Sequence, residues 1–162
     1  MTKLASILTL ALTLTAGCGK KDDASGGASG GGGGGKVAAV KLPKLGLTAE
    51  IPGEATVADG MGENAVMITG EGIGAMQVEL AKTPQTLDEA KADAKMYTPK
   101  NLASETLAPN GWLMTFENKG GAGTNYWVDS RREIGGKTYK CGTTGSDATQ
   151  AKAVAAACKS LR

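Results

Sequence analysis

Histidine is absent from this 162-residue chain. Its absence excludes Ser-His-Asp and Cys-His nucleophile activation, imidazole metal ligation, and the one side chain that ordinarily titrates near neutrality. An excess of one charge is lacking as well. The 18 basic and 16 acidic side chains leave a formal +2, with no basic block to follow a phosphate backbone, so nucleic acid is not an expected partner. Aromatic residues make up only 4% of the chain. No apolar run reaches the roughly 20 residues of a membrane-spanning helix. There are three cysteines, and none stands in a Cys-x-x-Cys pair. Glycine is plentiful, with 25 copies.

Met1-Thr2-Lys3 is a short basic start, and Leu4 to Leu14 is an apolar run broken by Ser6, Thr9 and Thr13. That run suits the central region of a signal peptide and is too short to remain as an anchor. Leu14-Thr15-Ala16-Gly17-Cys18 follows. With small residues directly before a cysteine, this stretch resembles the lipobox of a bacterial lipoprotein, with Thr15 in the place usually held by Leu. The resemblance implies removal of residues 1–17, attachment of diacylglycerol to the Cys18 sulfur and acylation of its new amino group. The rival is an ordinary secreted protein that keeps a free thiol. Two or more acyl chains give lasting membrane residence without a spanning segment. Gly19, rather than Asp, follows the cysteine, which in such lipoproteins favours the outer over the inner membrane.

Residues 24–35 are only Ala, Ser and Gly, ending in an unbroken run from Gly30 to Gly35. Such a chain has little to bury and much conformational freedom to lose, so residues 18–36 read as a lipidated cysteine followed by a flexible tether. Residues 37–162 are enough for one globular domain. Thr48 to Ile51, following Leu45-Gly46-Leu47, reads as a short strand entering a Pro52-Gly53 turn, and 64–69 with 74–82 as a hairpin. Met76, Val78 and Leu80 alternate there with polar neighbours. Thr86-Leu87-Asp88-Glu89 is a capping box opening a helix with Leu87, Ala90, Ala94 and Tyr97 on one face, which Thr98-Pro99 ends.

The period then returns to two. Strands are expected at 102–107, from Trp112 through Glu117, at 124–134 and at 137–142, the last two joined by a Gly135-Gly136 turn. A final helix starts at Asp147 and carries the stripe Ala148, Ala151, Val154, Cys158 and Leu161. The order is strands, helix, strands, helix, which makes an α+β domain with an antiparallel sheet packed against helices.

Across the Gly135-Gly136 turn, Ser130 faces Cys141, Arg132 faces Tyr139 and Ile134 faces Lys137. Cys141 then shares an inward face with Val128 and Tyr139, while Asp129, Arg131, Glu133, Thr138 and Lys140 share a charged, solvent-facing side. Cys141 and Cys158 are both directed inward, and an exported protein permits a disulfide between them. The rival, a reactive dithiol, has neither the spacing nor the exposure.

The entry Gly46-Leu47-Thr48-Ala49-Glu50-Ile51-Pro52, the middle helix, the late hairpins and the terminal helix ending Cys158-Lys159-Ser160-Leu161-Arg162 together resemble the PsbP-like superfamily. That resemblance implies an α/β/α sandwich and a role in binding or stabilising other proteins. It carries no shared catalytic site, and no family site residue has a matching motif in this chain.

Gly30 to Lys36 spells G-x-x-x-x-G-K, but Val37 replaces the Ser or Thr that would hold magnesium and no strand precedes it. Two residues are candidate partner contacts. Arg132 lies on the inward face, where its head must reach water at the sheet end or meet a ligand. Trp127 neighbours Tyr126 in one strand, so the two face opposite ways and at most one belongs to the core; an exposed Trp127 is a binding anchor.

The reading is therefore a monomeric, non-catalytic binding or accessory module. It is held at an outer membrane through Cys18, stapled by Cys141 and Cys158, and meets an envelope protein partner without any cofactor. A hydrolase using carboxylates brought together by the fold and a passive envelope component are the alternatives.

Overall fold

The computed structural model describes residues 36–145 and 147–162. The expected signal peptide, Cys18 and the tether through residue 35 lie outside the described residues. Within them the order is β1 (Val37–Leu42), β2 (Leu47–Pro52), β3 (Ala55–Asp59), β4 (Ala65–Gly70), β5 (Gly74–Leu80), α1 (Leu87–Ala94), β6 (Lys100–Leu107), β7 (Gly111–Gly120), β8 (Gly123–Ile134), β9 (Lys137–Gly145) and α2 (Ala148–Ser160). A 3-10 turn, Lys95–Tyr97, extends α1. This is the expected α+β class with an antiparallel sheet.

β3 to β9 form one seven-stranded antiparallel sheet in the order β3-β4-β5-β9-β8-β7-β6, while β1 and β2 make a separate hairpin. Only β5 and β9 pair across a long connection, through α1 and β6 to β8, and they set Val78 opposite Cys141. The last hairpin has the expected register, with Ser130 opposite Cys141 and Arg132 opposite Tyr139. Its turn works because Gly135 (φ 59°) and Gly136 (φ 73°) both take left-handed backbone, which side-chain-bearing residues rarely adopt.

β1 and β3 are the strands that periodicity alone does not announce. Val37-Ala38-Ala39-Val40 has no alternation, and β1 is mostly exposed, because the hairpin partner β2 covers only one edge of it. β3 is an exposed edge strand of five residues. Both owe their state to backbone pairing with a neighbour.

The main core lies between one sheet face, α2 and the hairpin. Leu42, Leu47, Ala49 and Ile51 come from the hairpin, Val66, Ile68, Met76, Val78, Leu113, Val128, Tyr139 and Cys141 from the sheet, and Ala151, Val154, Ala157, Cys158 and Leu161 from α2 and the residue after it. A second, smaller core on the opposite face packs Ala90 and Ala94 of α1 against Trp112, Met114 and Phe116. β7 is consequently buried on both sides, with Trp112, Leu113 and Met114 all inside.

Both helices begin as their sequences require. The Thr86 hydroxyl accepts from the Glu89 amide at 3.2 Å, and the Glu89 carboxylate accepts from the Thr86 amide at 2.7 Å. These bonds from Thr86 hold the Glu89 carboxyl below its ordinary pKa. Asp147 accepts from the amides of Thr149 and Gln150 at the start of α2. The Cys141–Cys158 disulfide is present, with Cα atoms 5.6 Å apart, and it ties α2 to β9. After α2, Arg162 and Thr48 exchange two backbone hydrogen bonds of 3.1 and 2.8 Å, and Arg162 Nη1 meets Glu50 Oε1 at 2.9 Å. The chain end is thereby fastened to β2.

Candidate functional site

The apolar stripe of α2 and the disulfide determine which strands the helix covers. Ala151, Val154, Ala157 and Cys158 press it over β8 and β9, and its last turn lies against β2. Its opposite flank carries Ala148, Lys152, Ala155 and Lys159, spaced four, three and four residues apart as one helical stripe requires. Ala148 and Ala155 stop short of β6 and β7, and a groove of about 470 Å³ opens between this flank and Leu113, Thr115, Tyr126 and Val128.

The floor of the groove is apolar and the charges lie on its rims. Lys159 Nζ and Glu105 Oε1, 2.8 Å apart, close one side. Asn101 Nδ2 donates to Glu117 Oε1 at 2.7 Å along the β6–β7 side. Lys152 is exposed and has no carboxylate partner among the described residues. A concave apolar floor with a few fixed polar groups suits binding rather than chemistry.

A smaller cavity of about 220 Å³ lies mainly on the other side of β8 and β9, lined by Gln77, Glu79, Trp127, Asp129, Lys140 and Thr144 among others. This is the face expected to be charged and solvated. The residues do share it, but α1 and the second core beside them leave it only partly open, and Asp129, Arg131 and Lys140 are half-buried. Asp129 Oδ1 is enclosed without a hydrogen-bond donor. Burial pushes the Asp129 carboxyl above its ordinary pKa, against the opposing pull of Lys140 and Arg131. Among the described residues no group of three or more Cys, Asp or Glu side chains is placed to hold a metal.

A pH dependence follows from Asp129. Its native-state pKa is raised, so the native state takes up the proton more readily than the unfolded chain. The charged form therefore weakens the fold, and that penalty fades as pH falls through the raised value. Asp129→Asn is expected to be more stable than wild type near neutrality, with the difference shrinking as pH approaches about 4. Urea unfolding at both pH values measures this; an equal or larger difference at the lower pH would contradict it.

The two candidate partner contacts have internal duties. Arg132 sits at the sheet end opposite Tyr139, and its Nη1 donates to the Lys159 carbonyl in the last turn of α2. A cation there meets the negative end of the helix dipole. Trp127 is half-buried, stacks on Phe116 with ring centroids 5.3 Å apart and lies 4.6 Å from Tyr97. Its indole N–H donates to Asn118 Oδ1 at 2.9 Å. Tyr126 packs against the main core and Trp127 against the second. Both are half-buried and neither is fully inside, because each face of β8 has its own partial apolar cover.

Trp127 borders both cavities, whereas Arg132 lines neither. The groove residues Ala155, Lys152 and Thr115 were not foreseen. Their signal in the sequence is a negative one, the lack of any large apolar side chain on the outer flank of α2. Comparison with protein-family models and with curated protein sequences finds no match for this chain.

Proposed function

We propose that this chain is an envelope lipoprotein, anchored at the outer membrane through Cys18, whose domain is a monomeric, non-catalytic module that binds a protein partner. The observation that carries the reading is the groove between α2 and β6–β8. It has an apolar floor and ionic rims, and it is held open by a disulfide-stapled helix. The lipobox-like segment ending at Cys18 supports the anchor, and the glycine-rich stretch supports a tether. Confinement to a surface raises the effective concentration of the module toward a partner in the same envelope. We also read the domain as PsbP-like. The placement of α1 and α2 on opposite sheet faces supports an α/β/α arrangement, and the binding roles of that superfamily agree with the groove.

Ala155→Trp fills the groove from a half-buried position on its flank. Cross-linked co-purification from native membranes is expected to recover one protein in stoichiometric amount with wild type. The Ala155→Trp variant should recover about tenfold less, with thermal stability retained. Equal recovery by both would move the partner site away from the groove, and no enriched protein with wild type would defeat the accessory role.

A second reading, hydrolysis by a carboxylate pair, is favoured by one observation. Glu79 and Asp129 line the same cavity, and Glu79 is among the groups that push Asp129 upward. Release of nitrophenol from nitrophenyl glycosides, abolished by Glu79→Gln, would replace the binding reading with this one.

A further inference from the structure

We propose that the end of the sheet carrying Met96, Tyr97 and Leu102 is a docking face for an anionic lipid surface. Large apolar side chains are exposed there in unusual density. Met96 is 74% exposed, Tyr97 39% and Leu102 38%, and all three belong to the connection from α1 into β6. Three exposed lysines lie in these elements or at their end of β7. Lys95 and Lys100 lie in the same connection. Lys119 is brought to this end by the register, since Lys100 pairs with Glu117 and the β7–β8 turn begins two residues beyond Lys119.

The ion pairs among the described residues use Lys44, Lys140, Lys159 and Arg162. They leave Lys95, Lys100 and Lys119 without a carboxylate partner there. The nearby carboxylates bond to neutral amides and not to these lysines: Asp93 accepts from Gln85 at 2.9 Å and Glu117 from Asn101 at 2.7 Å.

The segment is also held in place. Tyr97 rests on the Trp127 ring. Thr98 (φ 49°) and Asn101 (φ 50°), on either side of Pro99-Lys100, both adopt left-handed backbone, a conformation that costs energy for residues other than glycine. A register shift between Lys100 and Ala103 breaks the β6–β7 ladder at the same place. Bulges and lysines at a sheet edge discourage pairing with a strand of another protein. Exposed apolar tips with unpaired lysines in the same elements, and an aromatic among them, match the apolar margin and negative headgroups of a lipid surface.

The proposal does not depend on the Cys18 anchor, and its test leaves the anchor out. Residues 19–162, which retain every described residue, are sedimented with vesicles of phosphatidylcholine alone or with about 30 mol % phosphatidylglycerol. Binding to the anionic vesicles is expected to exceed that to phosphatidylcholine by at least about tenfold and to fall as salt is raised. Met96→Asp/Leu102→Asp should abolish it, and Lys95→Glu/Lys100→Glu should weaken it by at least about tenfold. All these side chains are exposed, so near-ultraviolet circular dichroism should remain that of wild type. Equal binding to both vesicles, no sedimentation above background, or full binding by the Met96/Leu102 variant would each overturn the assignment.

Discussion

Replacing Cys141 and Cys158 together by alanine is expected to lower the unfolding free energy by about 3 kcal/mol. The bridge closes a loop with a sequence separation of 17, and the unfolded chain regains that loop's freedom when the bridge is lost. Both residues are essentially inaccessible, 1% and 0% exposed, so the alanines also leave a small void between α2 and β9. The thermal midpoint should fall by roughly 10 °C for a domain of this size. Urea unfolding of the double variant beside oxidised wild type measures the effect. A loss below about 1 kcal/mol would mean that the apolar stripe and the Arg162–Thr48 backbone bonds position α2 without help. Because α2 forms one wall of the groove, the variant should also lose partner recovery before it loses its secondary structure.

Gly142→Ala is expected to be at least as damaging, by about 3 kcal/mol or more. A Cβ on Gly142 would stand 2.2 Å from the Val128 carbonyl oxygen and 3.3 Å from the Asp129 Cα. The obstruction is backbone of β8, which is hydrogen-bonded on both sides by β7 and β9 and cannot step aside as a side-chain tip would. Gly111 has the same relation to β8 from the other side, with its Cβ position 2.4 Å from the Arg131 carbonyl oxygen. β8 is thus approached closely by both neighbours. Gly145, later in β9, meets nothing within 4 Å and has no positive φ. Gly145→Ala should therefore be neutral or stabilising by a few tenths of a kcal/mol. Parallel denaturation of the two variants tests the argument, and similar losses would show that general glycine substitution, not backbone approach, sets the cost.

Much of the secondary structure was legible because it depends on near neighbours. The capping box at Thr86–Glu89, the Asp147 cap, the alternation through Met76, Val78 and Leu80, and the Gly135-Gly136 turn each act within a few residues. The turn then fixed Ser130 opposite Cys141, and from that register the disulfide to Cys158 followed. β1 and β3 were not legible: β1 is mostly exposed, and the alternation in β3 rests on Ala55 and Val57 alone, too short a run to announce a strand. The two-sided burial of β7 was visible only in part: Trp112, Met114 and Phe116 alternate, but nothing in Leu113 announces a second apolar layer opposite them.

The candidate sites divide along the same line. Arg132 was recognisable as an arginine out of place on an inward face, yet its partner, the Lys159 carbonyl, lies on a helix whose end is positioned by contacts far away in the chain. Asp129 looked like one of several surface charges, and only the cover beside it raises its pKa. The groove has no motif at all, because it is the space left where α2 stops short of β6.

Taken by itself, the sequence determined an α+β domain with its strand register around Gly135-Gly136, the pairing of Cys141 with Cys158, and the absence of histidine chemistry. These follow from local propensity, turn stereochemistry and side-chain inventory, which act over short distances. Only long-range packing shows that the sheet has two cores, that Arg132 and Trp127 serve internal contacts, that a groove opens beside α2, and that Met96, Tyr97 and Leu102 are left exposed. Those depend on how far one element extends over another, a quantity set by long-range packing and by the volume of side chains that meet only in the fold.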